Sequence, residues 1–184
     1  MSNFVYIALM SYAIGSIPFA YLAVRLRLGK DIRTLGSGNV GALNSFETSG
    51  SKGVGVAVML LDVLKGAAAV LIARQMFGET PERTTAMTAT FFVMLGHCYP
   101  VWLRFHGGRG LATGLGATVL FMPAVPILWG VMWVAAWFYS NRVHFCNISA
   151  TICTLILIPI FERMSAYPFI ILVLGLVIIR HLDV

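Results

Sequence analysis

Charged residues are scarce in this chain: they form 11% of its 184 residues, whereas an ordinary soluble domain has about 25%. Hydrophobic residues form 59% of the sequence, and the mean hydropathy is +0.86. So few ionic groups cannot cover a water-facing surface. The composition excludes a disordered chain and most soluble enzymes, and it predicts an all-α integral membrane protein.

Cysteine patterns and metal signatures are also sparse. The three cysteines lie at irregular spacing in apolar sequence: Cys98, Cys146 and Cys153. They are too few for a disulfide framework, and they form no CxxC pair. The four histidines lack the HExxH spacing: His97, His106, His144 and His181. There is no G-x-S-x-G motif either, which argues against a serine hydrolase. We expect no metal and no cofactor, and a lone histidine is more often structural than catalytic.

Long uncharged runs are the main feature that is present. Residues 1–24 carry no charge and would span about 36 Å as a helix. A signal peptide is the competing interpretation, but the first three residues supply no basic segment. We predict a single membrane domain over 1–184 with seven helices at 3–25, 53–74, 84–103, 110–122, 124–140, 147–161 and 165–181. The segment 25–53, rich in glycine and polar residues, is predicted to be a loop.

Lysine and arginine are divided unequally between the two sides that seven spans would create. Nine lie on one side: Arg25, Arg27, Lys30, Arg33, Lys52, Arg104, Arg109, Arg142 and Arg180. Three lie on the other side: Arg74, Arg83 and Arg163. The positive-inside rule makes the first side cytoplasmic, with the N-terminus outside and the C-terminus inside. The net charge of +6 fits membrane orientation and phosphate-bearing partners, and it does not require nucleic acid.

Two glycine-rich loops fall on the predicted cytoplasmic side. The first, residues 36–41, reads GSGNVG, but no strand precedes it, so a dinucleotide site is not indicated. The second, residues 104–110, reads RFHGGRG and leads directly into a predicted helix. Backbone N–H groups, a helix N-terminus and an arginine together suit a phosphate. The alternatives are a flexible linker for the first loop and a turn that meets lipid headgroups for the second.

Two ionisable residues, Asp62 and Lys65, lie inside a predicted membrane helix. Their spacing of three places them on one face, so they can form an ion pair. Ionisable groups at membrane depth are costly and often functional. Both a structural ion pair and a role in chemistry remain open.

Six short motifs follow one another along the chain: GSIPFA at 15–20, GKDIR at 29–33, GSGNVGA at 36–42, LDVLKG at 61–66, GHCYPVW at 96–102 and GGRGLAT at 107–113. In this order and spacing they resemble the bacterial acyl-phosphate-dependent glycerol-3-phosphate acyltransferases, the PlsY type. Each motif alone is weak, but the ordered set is specific and covers essentially the whole chain.

The resemblance implies a seven-helix inner-membrane enzyme of phospholipid synthesis. Such an enzyme transfers an acyl chain from acyl phosphate to the 1-hydroxyl of glycerol 3-phosphate, giving lysophosphatidic acid and phosphate, on the cytoplasmic face. The resemblance implies no metal. The expected partners are then the two substrates and membrane lipid. The soluble enzyme that makes acyl phosphate is a further candidate partner.

The resemblance and the loops together indicate roles for particular residues. Ser37, Asn39 and His181 are the catalytic candidates, with His181 as proton acceptor. The substrate-binding candidates are Arg33, Gly36, Gly38, Gly41, Asn44, His106, Gly107, Gly108, Arg109 and Gly110. Arg109 and the N–H groups of the second loop would hold the acyl phosphate, and Lys30 and Arg33 would steer the anionic substrates.

Some positions depart from the family pattern. Leu43 stands where the family has threonine, and Glu47 where it has arginine. His106 and Arg109 replace lysines, His144 replaces a serine, and Val184 replaces an asparagine. Because Glu47 reverses a charge, we expect weaker binding of glycerol phosphate, or a catalytically silent lipid-binding paralogue. A small anion transporter or channel is the main rival from another functional class, although no inverted repeat is visible.

Overall fold

The computed structural model describes residues 3–78 and 80–182, and within them all regular structure is helical. The α-helices are α1 (Asn3–Gly15), α2 (Phe19–Leu28), α3 (Ala42–Ser49), α4 (Lys52–Met76), α5 (Glu82–Cys98), α6 (Leu111–Thr118), α7 (Ala124–Tyr139), α8 (Val143–Leu157) and α9 (Tyr167–Leu182). The predicted all-α class is confirmed.

Five segments of the described residues are long and apolar enough to cross a membrane: Asn3–Leu28, Lys52–Met76, Glu82–Leu103, Val143–Ile160 and Met164–Leu182. Two further helices are shorter, since α7 has 16 residues and α6 has 8. Seven spans therefore stay a prediction.

The first predicted span, 3–25, falls within the candidate segment Asn3–Leu28, but this segment consists of two helices instead of one. α1 ends at Gly15 and α2 begins at Phe19. Pro18 lies in the break. It has no N–H to donate, and its ring disfavours the helical conformation at Ile17. The Ile17 carbonyl accepts a hydrogen bond from the Lys65 ammonium at 2.9 Å.

The segment 25–53 contains more regular structure than the predicted loop. A 3-10 turn covers Ile32–Thr34, and α3 covers Ala42–Ser49. Gly50 ends α3 with a φ of 64°, the left-handed conformation that glycine adopts at helix C-termini. The abundance of glycine and polar residues hid this short helix, because only two large apolar residues mark it.

The chain forms two compact units, Met1–Ala117 and Thr118–Val184. In the first unit, residues of α2, α4 and both loop regions share one buried cluster: Ala20, Val24, Ile32, Val40, Val58 and Leu103. α1 and α5 approach closely at Gly15 and Gly96, where each glycine lies against the backbone of the other helix. Small residues allow such contacts between membrane helices.

The second unit contains α7, α8 and α9. α7 and α8 are joined by only three residues, 140–142, and side chains of tryptophan on α7 bind polar groups of α8. Large apolar side chains face outward here, as at Phe138, which is 87% exposed. Outward-facing apolar side chains are expected where a helix meets lipid.

Gly96→Ala should destabilise the first unit, because its new methyl group would meet the Tyr12 carbonyl and lie 2.9 Å from the Ser16 nitrogen. Overpacking of this kind costs about 1–3 kcal/mol. Thermal unfolding in detergent should show a lower midpoint. The control is Gly175→Ala in α9, whose methyl group would meet nothing within 4 Å. Equal midpoints for the two variants would contradict the close packing of α1 against α5.

Candidate active site

The first glycine loop is held in shape by Asn44. Its side-chain amide donates to the carbonyls of Asn39 at 2.9 Å and Leu35 at 3.1 Å, and its oxygen accepts from the Ser37 N–H at 3.2 Å. The side chain is only 1% exposed. Asn44 was expected to bind substrate. Because its polar atoms are used by the backbone, a positioning role fits it better.

The loop itself presents Ser37 outward. Gly36 and Gly38 flank it with φ values of 54° and 71°, which most other residues adopt only at a cost. Ser37 is exposed and Asn39 is half-buried. Gly41 lies in extended backbone directly before α3. Two of the three expected catalytic side chains, those of Ser37 and Asn39, thus reach the surface on this turn.

Arg33 joins the two loop regions. Its guanidinium forms an ion pair with Asp31 at 2.6 Å and donates to the Leu103 carbonyl at 3.0 Å. The hydrogen bond from Arg33 also holds the pKa of the Asp31 carboxyl below its usual range. The contribution of this pair to stability is therefore present at neutral pH and is lost only as the pH falls through that lowered pKa. Arg33 was expected to steer substrate, and in the structure it fixes the loops.

The N–H groups of the second loop are not the open donors that were expected. The Gly107 N–H donates to the Cys98 carbonyl and the Gly108 N–H to the His97 carbonyl, both at 3.1 Å. The last carbonyls of a helix have no partner within it, so the loop satisfies the end of α5. The expectation that backbone N–H groups of this loop bind phosphate is therefore not met at Gly107 and Gly108, because both N–H groups bind carbonyls of α5.

The remaining residues of the second loop surround the start of α6. Arg104 and Phe105 have positive φ values of 54° and 63°, an uncommon conformation outside glycine. His106 is exposed, with its Nδ1 2.7 Å from the Arg104 carbonyl. Arg109 is half-buried, and Gly110, with a φ of 85°, directly precedes α6. Arg109 is therefore beside a helix N-terminus, as the sequence predicts.

The two loops are neighbours within the first unit. A methyl group on Gly108 would lie 2.7 Å from the carbonyl oxygen of Val40, at the end of the first loop. The bond between Arg33 and the Leu103 carbonyl is a second link. The sequence predicts that both loops lie on one side of the membrane, and the structure shows that they are neighbours.

A buried charged cluster supports the loops from within the helices. The Lys65 ammonium lies 2.8 Å from Asp62, and the same carboxylate oxygen lies 3.6 Å from the His97 Nδ1. All three side chains are buried. Lys65 also lies 5.5 Å from the centre of the Phe19 ring. The ion pair that the spacing predicts is present, and His97 joins it.

His181 lies in the second unit, near the end of α9. Its Nδ1 is 2.7 Å from the Val177 carbonyl, and its Nε2 is 3.4 Å from the amide nitrogen of Asn147. The ring is 2% exposed and stacks obliquely beside His144, with 5.5 Å between ring centres.

The residues that depart from the family pattern lie in different parts of the chain. Leu43 and Glu47 are exposed on α3, and His144 lies in the first turn of α8. Val184 lies outside the described residues. Glu47 therefore changes the charge of the α3 surface without disturbing the buried amide of Asn44.

Sequence reasoning missed Asp31, which pairs with Arg33 in the first unit, and Asn147 and Trp133, which lie beside His181 and Asn147 in the second unit. Asp31 belongs to a quoted motif, two residues before Arg33, which was a usable signal. Asn147 is a polar residue in an apolar helix, and its position alone could have drawn attention to it. Trp133 acts through a partner on another helix, so no local signal marks it.

A comparison with protein families decides the classification. Residues 5–183 match the family described as "Glycerol-3-phosphate acyltransferase". The chain belongs to this family. The match includes both glycine loops, the charged cluster and His181.

Individual members of the family are similar over much of the chain. The glycerol-3-phosphate acyltransferase of Gluconobacter oxydans (strain 621H) is 47% identical over 133 residues, which cover 72% of this chain and 62% of the relative. That of Rhodopseudomonas palustris (strain BisB5) is 41% identical over 167 residues, which cover 89% of this chain and 80% of the relative. That of Bartonella quintana (strain Toulouse) is 36% identical over 180 residues, which cover 95% of this chain and 83% of the relative.

Two solved crystal structures share the fold. Both are of PlsY (YgiH), an integral membrane glycerol 3-phosphate acyltransferase. Its glycerol 3-phosphate form matches with a TM-score of 0.85 and 33% identity, covering 99% of this chain and 90% of that chain. Its lysophosphatidic acid form matches with a TM-score of 0.81 and 31% identity, covering 98% of this chain and 88% of that chain. The family fold is thus that of an integral membrane protein.

The buried ion pair gives a test of how the site is supported. Asp62→Leu should destabilise the protein by about 3–5 kcal/mol, because Lys65 would stay buried without its carboxylate. The double variant Asp62→Leu/Lys65→Met removes both charges and should recover part of that loss. Thermal unfolding midpoints in detergent compare the two. A double variant less stable than Asp62→Leu alone would contradict the pairing.

Proposed function

We propose that this protein is an acyltransferase that moves an acyl chain from acyl phosphate to the 1-hydroxyl of glycerol 3-phosphate. The products are lysophosphatidic acid and phosphate, and the reaction is an early step of phospholipid synthesis. The observation that carries this proposal is the match over residues 5–183 to the glycerol-3-phosphate acyltransferase family. The similarity to a structure in a glycerol 3-phosphate form supports the same acceptor.

The geometry of the first unit supports phosphate-bearing substrates. Two loops meet there, and they carry an accessible Ser37 on one side and Arg109 beside a helix N-terminus on the other. A guanidinium can bind phosphate with two parallel hydrogen bonds. In this proposal Ser37 and Asn39 hold glycerol 3-phosphate, with Gly36, Gly38 and Gly41 shaping their turn.

Arg109, with His106 and Gly110 beside it, would hold the acyl phosphate. The guanidinium would stabilise negative charge that develops on the phosphate oxygens as the C–O bond to the leaving phosphate breaks. Gly107 and Gly108 serve this group indirectly, because their N–H groups fix the turn against α5. Lys30, which is exposed, would attract anionic substrates to the loops.

His181 would accept the proton of the attacking hydroxyl, and the acyl group would pass directly to the acceptor without an acyl-enzyme. The hydroxyl oxygen forms the new ester bond, the phosphate leaves with the electrons of the broken bond, and the proton goes to Nε2. The short contact of Nδ1 with the Val177 carbonyl leaves Nε2 as the nitrogen that can accept.

We also propose that the chain crosses the bacterial inner membrane seven times, with the N-terminus outside and the site on the cytoplasmic face. The nine lysines and arginines on one predicted side against three on the other support this orientation. Labelling of single cysteines introduced at Lys30 and Arg83 with a membrane-impermeant thiol reagent tests it. Labelling of the Lys30 position from outside intact cells would contradict the orientation.

The reaction itself is tested with purified protein in a membrane-like detergent, given acyl phosphate and labelled glycerol 3-phosphate. Lysophosphatidic acid should form above a boiled control. Its absence would contradict the proposed activity. Binding of glycerol 3-phosphate without turnover would instead favour a silent paralogue, which the charge reversal at Glu47 makes a specific alternative. Uptake of the anion into proteoliposomes would favour a transporter.

Arg109→Ala should slow the acyl transfer by at least about tenfold, which corresponds to ~1.4 kcal/mol of barrier. The reason is the loss of the guanidinium that would stabilise the leaving phosphate. The matched control is Arg27→Ala, which removes an exposed arginine at the end of α2. Wild-type turnover in Arg109→Ala would remove this residue from the site.

A further inference from the structure

A small cavity lies beside the break between α1 and α2, inside the first unit. Its volume is about 10 Å³, and it is bounded by that break, by α4 and by the end of α5. The polar part of its lining comes from Ser16, Asp62, Lys65 and His97. A cavity needs about 10–15 Å³ to hold one water molecule, so this cavity is at the lower limit for a single water and is too small for an organic ligand.

Ser16 brings a buried hydroxyl to this cavity. It directly follows α1 and is fully buried. Its N–H donates to the Tyr12 carbonyl at 2.9 Å, which fixes its backbone. Its Oγ, in contrast, has no hydrogen-bond partner among the residues that the structure describes. A hydroxyl can donate one hydrogen bond and accept two, and a buried hydroxyl that makes none is costly.

The buried ion pair also has unused hydrogen-bonding groups. The Lys65 ammonium has three N–H donors, and the Ile17 carbonyl accepts a bond from it at 2.9 Å. The Asp62 Oδ1 lies 2.8 Å from the ammonium, but the angle is not that of a hydrogen bond, and this oxygen has no such partner in the described part of the chain. The Phe19 ring, whose centre is 5.5 Å from the ammonium, attracts the charge but offers no lone pair.

The charges around the cavity decide which small ligand fits it. A cation would lie against the Lys65 ammonium, and an anion would lie against the Asp62 carboxylate. His97 lies beside the same carboxylate, with its Nδ1 3.6 Å from the Oδ1. A neutral molecule that both donates and accepts suits groups of both signs. Water has these properties, and a buried water typically makes about three hydrogen bonds.

We propose that this cavity is a binding site for one ordered water molecule, which accepts a hydrogen bond from Lys65 and donates to Asp62 and Ser16. The water gives the Asp62 Oδ1 and the Ser16 hydroxyl the partners that they lack within the protein. It also connects the end of α1 to α4, in addition to the bond from Lys65 to the Ile17 carbonyl. The proposal does not depend on the proposed function, because the water takes no part in acyl transfer.

A crystal structure of the wild-type protein, at a resolution that shows ordered waters, tests the site directly. One electron-density peak should lie about 2.5–3.2 Å from the Lys65 Nζ, the Asp62 Oδ1 and the Ser16 Oγ, the usual range of such hydrogen bonds. Crystals soaked in bromide distinguish water from an anion, because a bound bromide gives an anomalous signal. A bromide signal in the cavity would overturn the proposal, as would ordered side chains with no peak between them.

Ser16→Ala removes one of the three partners of the water. Its thermal unfolding midpoint in detergent should fall by about 2–4 °C, the shift expected when a protein of this size loses one hydrogen bond. The matched control is Ser11→Ala. Ser11 is also fully buried on α1, and its Oγ also has no hydrogen-bond partner among the described residues, but it does not line the cavity.

The two serine variants should shift the midpoint in different directions. Removal of a buried hydroxyl that binds nothing relieves the cost of burying it, so the midpoint of Ser11→Ala should stay the same or rise. A midpoint of Ser16→Ala that likewise stays or rises would show that its hydroxyl has no partner and would refute the proposal. The density peak is measured in the wild type, so that test stands even where a variant fails to fold.

Discussion

The buried charge of Lys65 is the constraint on which the architecture of the first unit depends. An ammonium that is 5% exposed inside a membrane helix requires both a counter-charge and hydrogen-bond acceptors. Asp62 supplies the charge, and the Ile17 carbonyl in the break between α1 and α2 supplies an acceptor. Asp62 also faces His97, whose own carbonyl receives the Gly108 N–H. One ion pair thus connects the broken first span to the second glycine loop.

This arrangement changes how the glycine loops can bind anions. Glycine-rich turns are often interpreted as rows of free N–H groups, but here several of those groups satisfy the ends of helices or the amide of Asn44. In the proposed function, phosphate binding therefore depends more on side chains such as Ser37 and Arg109 than on the backbone. The glycines are needed because the turns pass close to other groups, as Gly108 does beside the His97 ring and the Val40 carbonyl.

The features that could be predicted from the sequence are the local ones. Uncharged runs indicated the helices, and the spacing of Asp62 and Lys65 indicated their pairing, because neighbours on one helix share a face. The break at Pro18 was missed because the prediction weighed charge alone. The roles of Asn44 and of the Arg33 bond to Leu103 could not be predicted, since they depend on backbone groups that only the folded chain brings within reach.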